Sequence, residues 1–103
     1  MKKTLKKEGI KLSDKFKIAE TETFQKVLNE TKHKKIYAKI ATYIYPQLQN
    51  NPFYGPNIKK LKGEYEAFYR YRIGDYRLFY QVNKDQITVF IITLLHRKDA
   101  YRS

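Results

Sequence analysis

Cysteine is absent from the 103-residue chain, so disulfide frameworks, Cys-ligated zinc and thiol nucleophiles are excluded. Histidine occurs only at His33 and His96, too few for a His-built metal site. Acidic residues are scarce, 10 Asp+Glu against 22 Lys+Arg, and they form no cluster of the kind a metal-dependent nuclease needs. The expectation is chemistry without a metal. Phosphate-loop GxxxxGKS/T, dinucleotide GxGxxG and hydrolase GxSxG patterns are missing, which removes those enzyme classes and leaves no small-molecule cofactor to expect. No apolar run approaches the ~20 residues of a membrane span, and the Lys-rich start lacks the apolar stretch of a signal peptide. A cytoplasmic protein without membrane contact is expected.

What is present is charge and aromatic surface. The formal net charge is +12, and ten Tyr and six Phe accompany it although Trp is absent. Disordered chains are poor in aromatics, so this composition points to a folded domain carrying more positive charge than folding requires. The length fits one domain. Residues 1–14 read as a Lys-rich, mobile N-terminal arm, and 15–103 as the domain itself.

Along the chain, Phe16 and Ile18 alternate as in a short strand. Thr21 or Thr23 can cap a helix whose stripe is Phe24, Val27 and Leu28, ending near Asn29 to Thr31. Lys32 to Gln49 reads as a second helix, with Ile36, Ala38, Ile40, Tyr43, Ile44 and Leu48 on one broad apolar face. Pro46 predicts a kink or early end there. Residues 50–57 are dense in turn formers. Phe68 to Ile73 and Tyr76 to Val82 alternate as strands across Gly74-Asp75, a hairpin whose leading glycine suits a type II′ turn. After a turn at Asn83-Lys84-Asp85, Gln86 to Leu95 is apolar almost throughout, which predicts a central strand covered on both faces. The fold class expected is α+β in the order β-α-α-β-β-β, with both helices on one face of a mainly antiparallel sheet.

Lysine is spread over the arm and helices, but all five arginines (Arg70, Arg72, Arg77, Arg97 and Arg102) fall in the last third. The guanidinium fork matches phosphate bidentately and stacks on bases, which points to an anionic partner for this region. Surface pairs with Asp75, Asp85 and Asp99 are the plainer alternative. Strand parity puts Arg70 and Arg72 on one face, and the tight turn brings Arg72 close to Arg77. Like charges so placed repel, and a bridging anion relieves them. Phe68 and Phe79 lie among these charges and offer stacking faces. His96, next to Arg97, is either structural or a base kept neutral by its cationic neighbours. Tyr101 offers a donor, a stacking face or packing, and His33, in a Lys-rich helix start, is expected at the solvent.

The run FYRYRIGDYRLFYQV (Phe68 to Val82), with Lys60-Leu61-Lys62-Gly63 before it and HRKDAYR (His96 to Arg102) after it, resembles the RelE toxins of the RelE/ParE superfamily. These belong to bacterial type II toxin–antitoxin systems. The resemblance implies a ribosome-dependent, metal-independent endoribonuclease that cuts mRNA in the A site, with ribosome (16S rRNA), mRNA and a cognate antitoxin protein as partners. Matched position by position, it implies RNA contacts at Lys62, Arg70 and Arg72, phosphate contact at Arg77, transition-state stabilisation at Arg97 and nucleotide orientation at Tyr101. His96 looks like the histidine of the HR pair, and attack by a ribose 2′-hydroxyl would give it the base role. Phe79 joins the RNA-binding set through its stacking face. Two departures stand out: Leu94-Leu95 where relatives have a small residue before HR, and the arm at 1–14. The superfamily also holds gyrase-inhibiting ParE members, and a non-catalytic RNA-binding module would use the same arginine face.

Overall fold

The computed structural model describes residues 15–30, 33–63 and 68–100. The arm at 1–14, the acidic pair Glu64 and Glu66, and Tyr101 and Arg102 lie outside them. The elements run β1 (Lys17–Glu20), α1 (Glu22–Leu28), α2 (Lys34–Lys39), a π turn (Ile40–Ile44), α3 (Tyr45–Asn50), β2 (Ile58–Lys60), β3 (Phe68–Ile73), β4 (Tyr76–Asn83), β5 (Thr88–His96) and α4 (Arg97–Ala100). One sheet holds all five strands in the order β1-β5-β4-β3-β2. Among the described residues β1 and β5 pair in parallel and the other three pairings are antiparallel. The α+β class expected from the sequence is what folds, enlarged by β2 at one edge and by the short α4.

Local chemistry explains the helices. The Thr21 hydroxyl accepts from the Phe24 N–H at 3.2 Å and so caps α1, satisfying an otherwise orphaned donor. The long helix expected over Lys32 to Gln49 continues past Pro46, which sits in the first turn of α3, where a missing N–H costs least. The π turn just before it takes up the extra residue. Within this stretch Ile40, Ile44 and Leu48 are fully buried, whereas Tyr43 is 59% exposed and Ala38 is also exposed. Tyr43 is therefore not part of the apolar face that its spacing predicts.

The core lies between the helices and one face of the sheet, with Phe24, Ile40, Ile44 and Leu48 against Tyr71, Leu78, Tyr80, Val89, Ile91 and Leu94. Tyr69 and Tyr80 are register partners and stack at 5.6 Å. A register shift between Phe79 and Tyr80 pairs these residues with Thr93 and Ile91, leaving Ile92 between two partners. This bulge lets Ile91 and Leu94, three apart, point into the same core. Along the apolar run of β5, buried Val89 and Ile91 alternate with half-buried Phe90 and Ile92, and the bulge adds a change of face within the strand. β5 is an interior strand, flanked by β1 and β4.

Candidate nucleic-acid interface

Strand pairing places the arginines. Arg72 faces Arg77 directly across the β3–β4 hairpin, and Arg70 faces Phe79 one row further on. β2 adds Lys59 opposite Arg70, and β5 adds Thr93 opposite Phe79. Because Tyr71, Ile73 and Leu78 occupy the core face, the alternation of a strand turns Arg70, Arg72, Arg77 and Phe79 to the other. The parity expected from the sequence is the parity of the sheet. At the hairpin end Gly74 has φ +56°, and no positive φ is found at Asp75, the sign pattern of a type II′ turn.

Arg77 is only 8% exposed. Its Nη1 donates to the carbonyl oxygens of Gly74 and Tyr76, both at 2.9 Å, so the turn itself orients the guanidinium. Arg97 begins α4, and its backbone N–H donates to the Asp75 carbonyl at 2.6 Å, which ties the end of β5 to the same turn. Its side chain lies 3.6 Å from the Asp75 carboxylate, and both groups are more than half exposed. A pair so solvated is weak and opens readily for a stronger anion. It is one of the surface pairings with Asp75, Asp85 and Asp99 that the plainer alternative allowed.

These residues line a cavity of about 390 Å³ together with Lys39, Tyr43 and Asn57. The structure thus brings Arg72, Arg77 and Arg97 together at the hairpin end. Arg70 and Phe79, both half-buried, lie one row away, and Lys62 is exposed beside β2, in a separate cavity with Lys60, Leu61 and Gly63. Lys39, Tyr43 and Asn57 were missed from the sequence. The i, i+4 spacing of Lys39 and Tyr43 was the available signal, hidden because Tyr43 also fits the apolar stripe.

His96 takes a different position. It is the register partner of Tyr76, on the core side of the sheet, and the two rings pack edge to face at 5.4 Å. Tyr76 also packs edge to face against His33, at 5.7 Å. His33 is 4% exposed, contrary to the solvent position expected for it, because it enters α2 beneath the Tyr76 ring. Its Nε2 meets the Glu30 carboxylate at 2.9 Å, and its Nδ1 is buried without a hydrogen-bond partner. The i, i+3 spacing of Glu30 and His33 was the local sign of this. His33, Tyr76, His96 and Lys98 share a second cavity, of about 550 Å³. His96 and Arg97, neighbours in sequence, therefore stand at the boundary between two cavities.

The tautomer of His96 follows from its contacts. Its Nδ1 accepts from the Lys98 backbone N–H at 3.2 Å, so a neutral ring carries its proton on Nε2 and its basic lone pair on Nδ1. Among the described residues there is no group of three His, Cys, Asp or Glu able to hold a metal ion. No helix among them is long and apolar enough to cross a membrane.

Comparison with known proteins gives a consistent picture. A family model described as the ParE toxin of the type II toxin–antitoxin system parDE matches residues 18–101. Toxin RelE3 of Methanocaldococcus jannaschii is 47% identical over 45 residues, 44% of this chain and 48% of that protein, so the match spans about half the relative's length. The RelB–RelE antitoxin–toxin complex from Methanococcus jannaschii is similar in structure with a TM-score of 0.59, at 30% identity over 81% of this chain and 94% of that one. The toxin–antitoxin complex RelBE2 from Mycobacterium tuberculosis has a TM-score of 0.69, with 25% identity over 81% of this chain and 99% of that one.

Proposed function

The chain belongs to the RelE/ParE superfamily of type II toxin–antitoxin toxins, and from that premise we propose that it cuts mRNA on the ribosome without a metal ion. The observation that carries this reading is the convergence of Arg72, Arg77 and Arg97 on one cavity at the hairpin end. Three guanidinium groups within one site offer the donors that a phosphate needs as it gains charge toward a five-coordinate phosphorane.

In the proposed reaction the phosphate sits in the arginine cavity and the base, His96, reaches it from the adjoining one across Arg97. The ribose 2′-hydroxyl attacks the adjacent phosphorus, its proton passing to His96 Nδ1, which gives up the Lys98 N–H to receive it. Arg77, held by two carbonyls, and Arg97, freed from Asp75, take the charge on the non-bridging oxygens. The P–O5′ bond breaks, the 5′-oxygen is protonated, and a 2′,3′-cyclic phosphate remains. Tyr101, outside the described residues, is assigned nucleotide orientation or donation to the leaving oxygen. Lys62, Arg70 and Phe79 extend the RNA contact across the sheet. The ribosome supplies an ordered message, so modest acid–base equipment suffices. A cognate antitoxin would hold the protein inactive by covering this basic cleft; the structural relatives include RelB–RelE antitoxin–toxin complexes.

Primer extension on a translated message, after induction of the protein in cells, tests the reading. Wild type should leave cuts at fixed codon positions, and Arg77→Ala should reduce them about 100-fold or more, the scale for losing one charge-stabilising donor. Intact message with DNA damage would instead favour gyrase inhibition, the second reading, which the ParE description of the matching family keeps in view. Neither effect would leave an RNA-binding module.

A further inference from the structure

The helix-side wall of the arginine cavity has no role in the mechanism above. Tyr43 stands on the π turn with 59% of its surface exposed, one of three large apolar side chains so placed among the described residues. An exposed aromatic ring is unremarkable alone. This one lines the same cavity as Arg72, Arg77 and Arg97, with Lys39 one turn before it on the same helix face. The cavity, at about 390 Å³, is far larger than a single phosphate needs and lies within the range of roughly 300–1,000 Å³ usual for small-ligand sites. One wall is cationic, the other carries a flat π face edged by a lysine. A nucleotide has both complements, an anionic phosphate and a planar base.

We propose that Tyr43 is a stacking platform for an RNA base whose flanking phosphates are held by Lys39 and the arginines. The proposal rests on reading the cleft as an RNA site, and it adds a contact to the base that the phosphate chemistry does not supply. Every base has a π face, so stacking here tolerates any of the four and contributes affinity with little sequence preference. The phenol hydroxyl is not required. Tyr43→Phe should therefore behave as wild type, and Tyr43→Ala should not.

The absence of Trp from the chain makes the contact directly observable. Tyr43→Trp introduces a single indole at the cavity wall, on an exposed position that leaves the core untouched. A 2′-O-methyl oligouridine, which cannot be cut, should quench its emission, whereas an abasic oligomer of equal length should bind without quenching. In anisotropy titrations of labelled oligomers, Tyr43→Ala should weaken oligouridine binding roughly 5- to 150-fold and leave the abasic oligomer unchanged. Arg72→Ala should weaken both. Equal binding of oligouridine by Tyr43→Ala and wild type overturns the proposal, as does failure of wild type to bind oligouridine at all. Primer extension run alongside separates the two readings. Codon-positioned cuts with unaltered Tyr43→Ala binding retain the nuclease and remove the platform. Selective loss of oligouridine binding without any cuts retains the platform and removes the nuclease.

Discussion

Glu20 connects the first strand to the helices through one carboxylate oxygen. Its Oε2 accepts from the hydroxyls of Tyr37 and Tyr45, at 2.8 and 2.7 Å. Hydrogen bonds to a charged acceptor contribute more than neutral ones, so Glu20→Ala should cost about 2–3 kcal/mol in urea unfolding. An unchanged unfolding midpoint would dismiss the clamp. The same phenols give the fold a pH limit. The Glu20 bond, with burial behind it, raises the proton affinity of Tyr37; burial is the first cause for Tyr45 and Tyr80, and for Tyr45 the Glu20 bond adds to it. A phenol that holds its proton more tightly when folded stabilises fully below the unfolded value near 10. Above that value the unfolded chain ionises first, and stability falls as pH rises. The urea midpoint should therefore be level from pH 7 to 9 and decline beyond 10, and Tyr80→Phe should flatten the decline. A midpoint still level at pH 11 would contradict this.

Among the elements, the β3–β4 hairpin carries most of the site, and its turn is the sensitive point. A side chain at Gly74 would meet no neighbouring atom, but it would sit at φ +56°. Gly74→Ala should destabilise by about 1–3 kcal/mol through backbone strain alone and disturb the carbonyl that orients Arg77. Thermal unfolding compared with Asp75→Ala checks this, because Asp75 has no such conformation to lose. This hairpin was legible in the sequence, since alternation and turn chemistry are local. So was α1, whose cap and stripe lie within eight residues. The helix through Pro46 was less so, because whether proline ends a helix depends on the π turn that precedes it. β2 was missed because Ile58–Lys60 is too short to show a period and is defined by its partner β3. The bulge in β5 was invisible for the same reason: a run of apolar residues looks alike whether both faces are covered or one face changes midway. Side-chain placement across elements was the least legible. His33 and Tyr43 exchanged their expected environments, the histidine buried and the tyrosine exposed, because each is decided by what packs above it.

At the scale of the whole molecule the charge of the described residues is unevenly disposed, with Arg72, Arg77 and Arg97 gathered at one end of the sheet and lysines on the helices and on β2. If three to six phosphates are neutralised, log affinity for single-stranded RNA should fall with log salt at a slope of about −2 to −4. A flat dependence would remove the electrostatic argument for the cleft. The sheet order has a consequence of another kind. β1, which precedes the helices, finds its strand partner in Thr88–Ile91 of β5, and Arg97 directly follows the end of β5. During synthesis the segment up to β4 emerges first and can form the Phe68–Asn83 hairpin, but neither the parallel pair nor the third arginine of the cleft yet exists. The cleft is completed only once β5 and Arg97 have followed the hairpin out of the ribosome. The topology thus makes the basic cleft a later product of synthesis than the hairpin that carries two of its three arginines.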